Sequence, residues 1–375
     1  MQRILLPFAK LGSKFSNWIL VPEVHPLCDS NLNNRIYIHA SLPFNRKPPV
    51  SIGNLHKNFL ENGIGISENS EPTFIRTLTN AKVFRSRGFL IDENNKFLYD
   101  SECKYSLQNE FPEKFFITKP KKVRGTSLLI AGSFASHNYF HWLTDAIPKI
   151  AIAQENSISI SEVDNVIVSN NELAFQNETL AILKIDPQKI VSLEKYNLLV
   201  CEFIIAPSAT CVSGNVSKWI VDYLQDLFKD WMVVKNELPK KIYISRQNSL
   251  KRRLTNENRI TEYLIEQGYD VVYLEKLSVK QQIQLFYNAN SIIGVHGAGL
   301  TNLIFSSPKT SIIELFPSTY VNQCYWTISS HKNLKYGYLV GIEEDITDNE
   351  NHLIDSNFCI DVEDLKLLES KMKQN

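Results

Sequence analysis

The 375-residue chain has no charge excess: 40 Lys and Arg balance 40 Asp and Glu. That removes a global pull towards nucleic acid or an anionic membrane, so no nucleic-acid partner is expected. It also lacks any apolar run of membrane-spanning length. Cysteine is scarce, with Cys28, Cys103, Cys201, Cys211, Cys324 and Cys359 scattered and no C-x-x-C pair. Such spacing reads as reduced thiols in place of a disulfide framework or a zinc site. The apolar run at residues 4–11 is short and broken by Pro7 and Lys10, so it does not read as a signal. A cytoplasmic setting is expected, with the inner face of the cytoplasmic membrane as a place of peripheral contact. Low-complexity tracts are missing as well, and 11% aromatic residues are enough for full cores.

What is present is length for two domains and a change of rhythm along the chain. The first 120 residues are β-rich, with strands expected at 35–39, 81–87 and 88–99. From 127 onward strands and helices alternate: strand 127–131, helix 137–154, strand 165–169, helix 172–183, and an apolar run at 198–206. Residues 216–234 read as one amphipathic helix, with Trp219, Ile220, Tyr223, Leu224, Leu227 and Trp231 on one face. A second series follows: strand 242–245, helix 257–267, strand 270–274, helix 279–289, then strand 311–315. Alternation of this kind implies parallel sheets covered by helices, with ligands at the carboxyl ends of strands. The expected division is an N-terminal domain over 1–235, a C-terminal domain over 236–345, and a tail or helix over 346–375.

The most informative stretch is 291–305, where an apolar run ends at Gly294 and a small-residue turn carries His296, Gly297, Ala298 and Gly299. It reads as a buried strand, a tight turn and a helix start. Glycines there admit a ligand close to the backbone, and the free amides of a helix start favour phosphate. The turn has neither the Lys-Ser/Thr of a P-loop nor Rossmann spacing.

A second group is His137, His141 and Asp145, at i, i+4 and i+8 of the expected helix, just after the turn at 132–136. Surface polarity or a helix cap would explain it. Zinc could use two His at this spacing, but the His-Glu-x-x-His pattern is missing. General-base work is the sharper alternative, with Asp145 favoured over His141 because an Asp is ionised at neutral pH without help, whereas His141 must be held neutral and correctly oriented. Third, Arg246 closes a strand and Arg253 precedes a helix start; forked guanidinium groups suit phosphate. Lys251 and Arg252 read as a solvated basic loop. Glu314 ends the last strand, where it would accept from ribose hydroxyls or form a salt bridge.

Three blocks then stand together: Asn138-x-x-His-Trp142-x-x-Asp145, Tyr-Ile-Ser-Arg246 with Arg253-x-x-Asn256-Glu257, and Gly-x-His-Gly-Ala-Gly-Leu-Thr-Asn302 with Ile-Glu314-Leu. In this order they resemble the family 61 glycosyltransferases over roughly residues 125–340, leaving the first 120 unmatched. Bacterial members are commonly described as capsular polysaccharide biosynthesis proteins, and eukaryotic relatives add GlcNAc or xylose to glycans. The resemblance implies a GT-B-like α/β fold, two Rossmann-like domains facing a central cleft, and transfer with inversion from a nucleotide diphosphate sugar, UDP-linked by family habit. The acceptor would be a glycan or lipid-linked glycan, with peripheral contact to polysaccharide assembly.

Asp145 or His141 would serve as base, with His137, Asn138, Trp142, Asn256 and Glu257 in support. Arg246, Arg253, His296, the turn at Gly297, Ala298 and Gly299, Asn302 and Glu314 would hold the donor. No Asp-x-Asp pair is present, so no metal or other cofactor is expected. The leaving diphosphate would be met by Arg246, Arg253, His296 and the amides after Gly297. A non-catalytic sugar-binding protein of the same fold and a phosphohydrolase are the competing classes.

Overall fold

The computed structural model describes residues 19–20, 35–61, 69–84, 87–94, 97–98, 117–118, 120–132, 134–196, 198–210, 214–343 and 356–374. They fall into two compact units, one of Met1–Ala40 with Thr73–Ala209, the other of Ser41–Pro72 with Thr210–Asn375. Each is an α/β unit built on its own sheet.

The first unit contains β1 (Ile19–Leu20), β2 (Ile36–His39), β3 (Thr73–Phe84), β4 (Phe89–Ile91), β5 (Phe97–Leu98), β6 (Ile117–Thr118), β7 (Lys121–Leu129), β8 (Asn165–Val168), β9 (Ile190–Ser192) and β10 (Leu198–Pro207). Eight of these form one sheet in the order β5-β4-β3-β10-β7-β8-β9, with β2 also on β3, while β1 pairs with β6. Strands β10, β7, β8 and β9 run parallel, and β3 lies antiparallel to β10 from Leu198↔Phe84 to Pro207↔Ile75. The expected strand at 81–87 is therefore only the far end of β3. Arg76, Thr77, Thr79 and Asn80 dilute its apolar signal, and the long ladder to β10 carries the strand through them. The helices are α1 (Tyr139–His141), α2 (Pro148–Glu155) and α3 (Ala174–Ile182). Val83, Leu129, Ile167, Leu199 and Ile204 meet in the core.

The second unit contains α4 (Lys218–Leu227), β11 (Lys241–Ile244), α5 (Glu257–Glu266), β12 (Asp270–Val272), α6 (Val279–Asn288), β13 (Ser291–Val295), β14 (Ser311–Pro317), α7 (Cys324–His331), β15 (Lys335–Glu343), β16 (Phe358–Cys359) and α8 (Val362–Gln374). Its sheet runs β12-β11-β13-β14-β15-β16, parallel except for β16. The chain steps from β11 to β12 on one side, then returns to β13 on the other. That reversal makes the carboxyl ends of β11 and β13 the switch point where such sheets bind ligands.

Two expectations change here and a third is sharpened. The boundary near 235 falls inside the second unit, because α4 packs there: Gln225 Nε2 donates to the Ile304 carbonyl at 3.0 Å, and Phe228 meets Phe305 edge-on. The expected helix 216–234 stops at Leu227, with a short 3-10 turn over Lys229–Trp231. Of the expected tail or helix over 346–375, residues 346–355 lie outside the described residues and Val362–Gln374 form helix α8, whose Leu365, Leu368 and Met372 share one core with Tyr243, Leu264, Ile313 and Leu339.

Candidate active site

In the first unit, the expected helix 137–154 runs over 139–155 and widens in its middle. Asn138 caps α1 by accepting from the Phe140 amide at 2.9 Å. A π-turn over Trp142–Ala146 follows, with the Ile147 amide reaching the Trp142 carbonyl at 3.1 Å. The cause is Pro148, which has no N–H for the preceding turn and opens α2 at its first position. Within this wide turn the His141 Nδ1 lies 2.6 Å from Asp145 Oδ2. Thr144 Oγ1 donates to the other oxygen, Oδ1, at 2.9 Å. The Asp145 side chain is 6% exposed and the His141 side chain 29%. A carboxylate only accepts, so it holds the imidazole hydrogen on Nδ1 and leaves Nε2 with a lone pair. His141 is the outer member and Asp145 lies beneath it, an order that suits an imidazole base with an orienting acid and reverses the expected preference for Asp145. His137 lies ahead of the helix, exposed, with Nδ1 2.9 Å from Ser136 Oγ, so the expected three-residue face reduces to two. Trp142 is buried and its Nε1 donates to Thr179 Oγ1 at 2.8 Å, a structural role.

In the second unit, Arg246 follows β11 and His296 follows β13, at the switch point. A cavity of about 250 Å³ lies there, lined by Ser245, Arg246, Ser249, Glu275, Gly297 and Gly299 among others. Gly297 is needed for close approach: its φ of 175° is ordinary extended backbone, but a Cβ would overlap Arg246 Nη1. At Gly299 a Cβ would press on Leu274. Arg246 Nη2 donates to Ser249 Oγ at 2.8 Å and to the Lys251 carbonyl at 3.0 Å. Burial and the Arg252 charge lower the Arg246 guanidinium to about 10, which leaves it cationic at neutral pH. The Nε atoms of Arg246 and Arg252 are both buried, with no hydrogen-bond acceptor among the described residues.

Behind them His296 Nδ1 sits 2.5 Å from Glu314 Oε1, and Tyr336 donates to Glu314 Oε2 at 2.5 Å. Burial pushes the Glu314 carboxyl well above its ordinary range, against the pull of the Tyr336 hydroxyl and Arg252. Burial, then Arg252 and Arg246, push His296 well below its own. Both shifts disfavour charge on the pair, which favours a proton on Glu314 facing Nδ1 and the ring hydrogen on Nε2. Phe316 stacks on the imidazole, and Tyr325 donates to the Gly297 carbonyl at 2.7 Å.

Other residues picked out by sequence take different places. Glu314 is fully buried with both oxygens engaged, so it positions His296 and is not open to a ribose. Arg253 is exposed and contributes its amide to Asn357 Oδ1, whereas its neighbour Arg252 lies over the Tyr320 ring at 4.9 Å. Asn256 ties Ile360 through both of its side-chain atoms, Glu257 accepts from Tyr243 at 2.8 Å, and buried Asn302 donates to Gln282 Oε1 and the Gly299 carbonyl. These three hold the frame. Ala298 is half-buried at the start of a 3-10 helix, Ala298–Phe305, where an α-helix start was expected. Among the described residues no three His, Cys, Asp or Glu side chains gather as a metal site, and no helix is long and apolar enough to cross a membrane.

Residues 139–313 match the Glycosyltransferase 61 family model. The comparisons support a place in that family. The matched segment runs from α1 to β14 and takes in His141, Asp145, Arg246, Arg252 and His296. A beta-1,2-xylosyltransferase of Oryza sativa subsp. japonica is 37% identical over 60 residues, 16% of this chain and 11% of the relative. The EGF domain-specific O-linked N-acetylglucosamine transferase of Drosophila melanogaster is 30% identical over 96 residues, 25% of this chain and 18% of the relative. A second rice beta-1,2-xylosyltransferase is 26% identical over 223 residues, 53% of this chain and 38% of the relative. The chain thus spans well under half the length of the curated relatives it matches. Family and relatives together support glycosyl transfer, and these relatives are plant and insect enzymes, not bacterial capsular ones.

Proposed function

We propose that this protein is an inverting glycosyltransferase that moves a sugar from a nucleotide diphosphate sugar to a glycan hydroxyl. The observation that carries the proposal is the pair of buried guanidinium Nε donors of Arg246 and Arg252, without acceptors among the described residues, at the switch point of the second sheet. Buried donors of this strength call for an oxyanion, and a diphosphate supplies several oxygens. Arg246, Arg252 and the first amides of the turn after Gly297 bind it. Their contacts strengthen as the bond from the anomeric carbon to phosphate breaks and its electron pair moves onto the diphosphate.

The acceptor hydroxyl gives its proton to His141 Nε2 while its oxygen bonds the anomeric carbon from the opposite side, which inverts the centre. Asp145 holds the ring in place and stabilises the imidazolium that forms. The GT-B arrangement, a UDP-linked donor and a role in a bacterial surface polysaccharide belong to the same proposal and rest on the motif resemblance; independence of metal rests on the missing Asp-x-Asp pair, and a cytoplasmic setting is proposed with them.

The test is nucleotide release from UDP-xylose, UDP-arabinose and UDP-GlcNAc, then GDP, CDP and dTDP sugars, with and without glycan acceptors. Release that requires acceptor supports transfer. Phosphate freed from a nucleotide alone would mean a hydrolase, and binding without turnover a non-catalytic protein. Activity is expected to survive EDTA; loss on chelation with rescue by magnesium or manganese would overturn the leaving-group account.

A further inference from the structure

The turn ahead of α1 contains a residue that its own geometry does not require. Phe134 has a φ of 62°, a left-handed conformation that bulky side chains rarely adopt, and the residue is 44% exposed. The turn uses only its backbone: the Phe134 carbonyl accepts from the Asn138 amide at 3.1 Å and from the His137 amide at 3.4 Å. Glycine would make those contacts without strain. The ring is held in a defined place. Its centroid lies 5.3 Å from that of the His141 imidazole, and the Arg87 guanidinium carbon sits 4.5 Å from it. An open aromatic ring, braced by a cation and set beside the imidazole that takes the acceptor proton, matches the apolar C–H face of a sugar ring.

We propose that Phe134 is the stacking platform of an acceptor subsite, which receives a pyranose ring so that one of its hydroxyls reaches His141 Nε2. Arg87 fixes the ring in place. This rests on the glycosyl-transfer reading for its meaning, but the binding itself can be measured without turnover.

The experiment is saturation-transfer NMR on the full chain with methyl β-xyloside, methyl β-galactoside and methyl N-acetyl-β-glucosaminide. Wild type should bind at least one at millimolar concentration. Phe134→Gly should weaken that binding about tenfold or more, with an unchanged or raised Tm because glycine relieves the backbone. Phe134→Tyr should keep it. Phe134→Leu keeps apolar bulk without an aromatic face and should lose affinity as Gly does, so the comparison survives if the Gly variant folds poorly. The proposal is overturned if no glycoside binds wild type, or if Phe134→Gly or Phe134→Leu binds like wild type. A protein that binds glycosides through Phe134 yet turns over no nucleotide sugar would sink the glycosyl-transfer reading and leave the subsite standing.

Discussion

The two units each carry a histidine–carboxylate pair of nearly equal length, 2.6 Å for His141–Asp145 and 2.5 Å for His296–Glu314, and the pairs do different work. In the first, the imidazole is 29% exposed and its acid lies beneath it. In the second, the imidazole is 6% exposed, its acid is at 0%, and two arginines press on it. The first acid holds the hydrogen on Nδ1, leaving Nε2 to accept a proton. In the second, burial disfavours charge on both partners, which favours a hydrogen on Nε2. On the proposed reading, an imidazole and a carboxyl at nearly the same distance serve as a base or as a neutral donor according to burial and neighbouring charge.

The largest test of this contrast is loss of the outer imidazole. His141→Ala is expected to lower kcat by about two to four orders of magnitude, with nucleotide affinity unchanged by calorimetry. Asp145→Asn should fall in the same direction, because an amide NH2 facing Nδ1 drives the ring hydrogen onto Nε2. If both variants keep near-normal kcat, the base lies elsewhere, and residues 1–120 become the place to look.

Next is the arginine cradle. Arg246→Ala should weaken nucleotide diphosphate binding roughly 10- to 100-fold, the worth of a charged hydrogen bond. Gly297→Ala should imitate it by displacing the guanidinium. Arg252→Ala should also weaken binding, and Arg253→Ala should not. Equal effects at 252 and 253 would sink the distinction drawn between them.

The third effect is on stability against pH. The folded carboxyl of Glu314 is raised above its ordinary 4.5 and the folded His296 is lowered below its ordinary 6.5. Between those values the folded and unfolded pairs hold the same number of protons, so this pair contributes no slope. Above 6.5 the unfolded Glu is ionised and the folded one is not, so stability falls as pH rises. Below 4.5 the unfolded His is charged and the folded one is not, so stability falls as pH falls. Each limb is at most about 1.4 kcal/mol per pH unit. Glu314→Gln should flatten the alkaline limb and start the acidic one at 6.5. Denaturant titrations at pH 4–8 read this directly, and an unchanged alkaline limb in the variant would mean Glu314 is already ionised in the fold.

The smallest effect separates frame from site. Asn256→Ala should destabilise the second unit by about 1 kcal/mol through the lost ties to Ile360, and leave nucleotide affinity alone. A drop in affinity would return Asn256 to the binding site.

Much of the second unit was legible because its signals are local. Apolar runs bounded by turns give β11, β13 and β14, and α5 runs over Glu257–Glu266 against an expected 257–267. The proximity of His141 and Asp145 follows from one helical turn of spacing, and survives even though that turn is a π-turn. Strand β15 and helix α7 were not read, so Tyr336 and Tyr325, which complete the His296 surroundings, were not found either. Neither element is periodic: Cys324–Ser329 are buried on every side and β15 shows no in–out alternation, so a pattern of spacing does not mark them. The choice between Arg252 and Arg253 had no sequence signal: it turns on Arg252's φ of 54° and on Tyr320 arriving from the loop after β14.

The sequence by itself determined what neighbours along the chain can decide: the glycine turn and the one-turn spacing of His141 and Asp145. Only the tertiary structure decided the strand order that makes β11 and β13 a switch point, the closure of Glu314 between His296 and Tyr336, and the arrival of Arg252 beside them. The reason is physical. Hydrogen bonds within a turn depend on a few residues, whereas burial, and the protonation it imposes, sums over segments that meet only when the chain has folded.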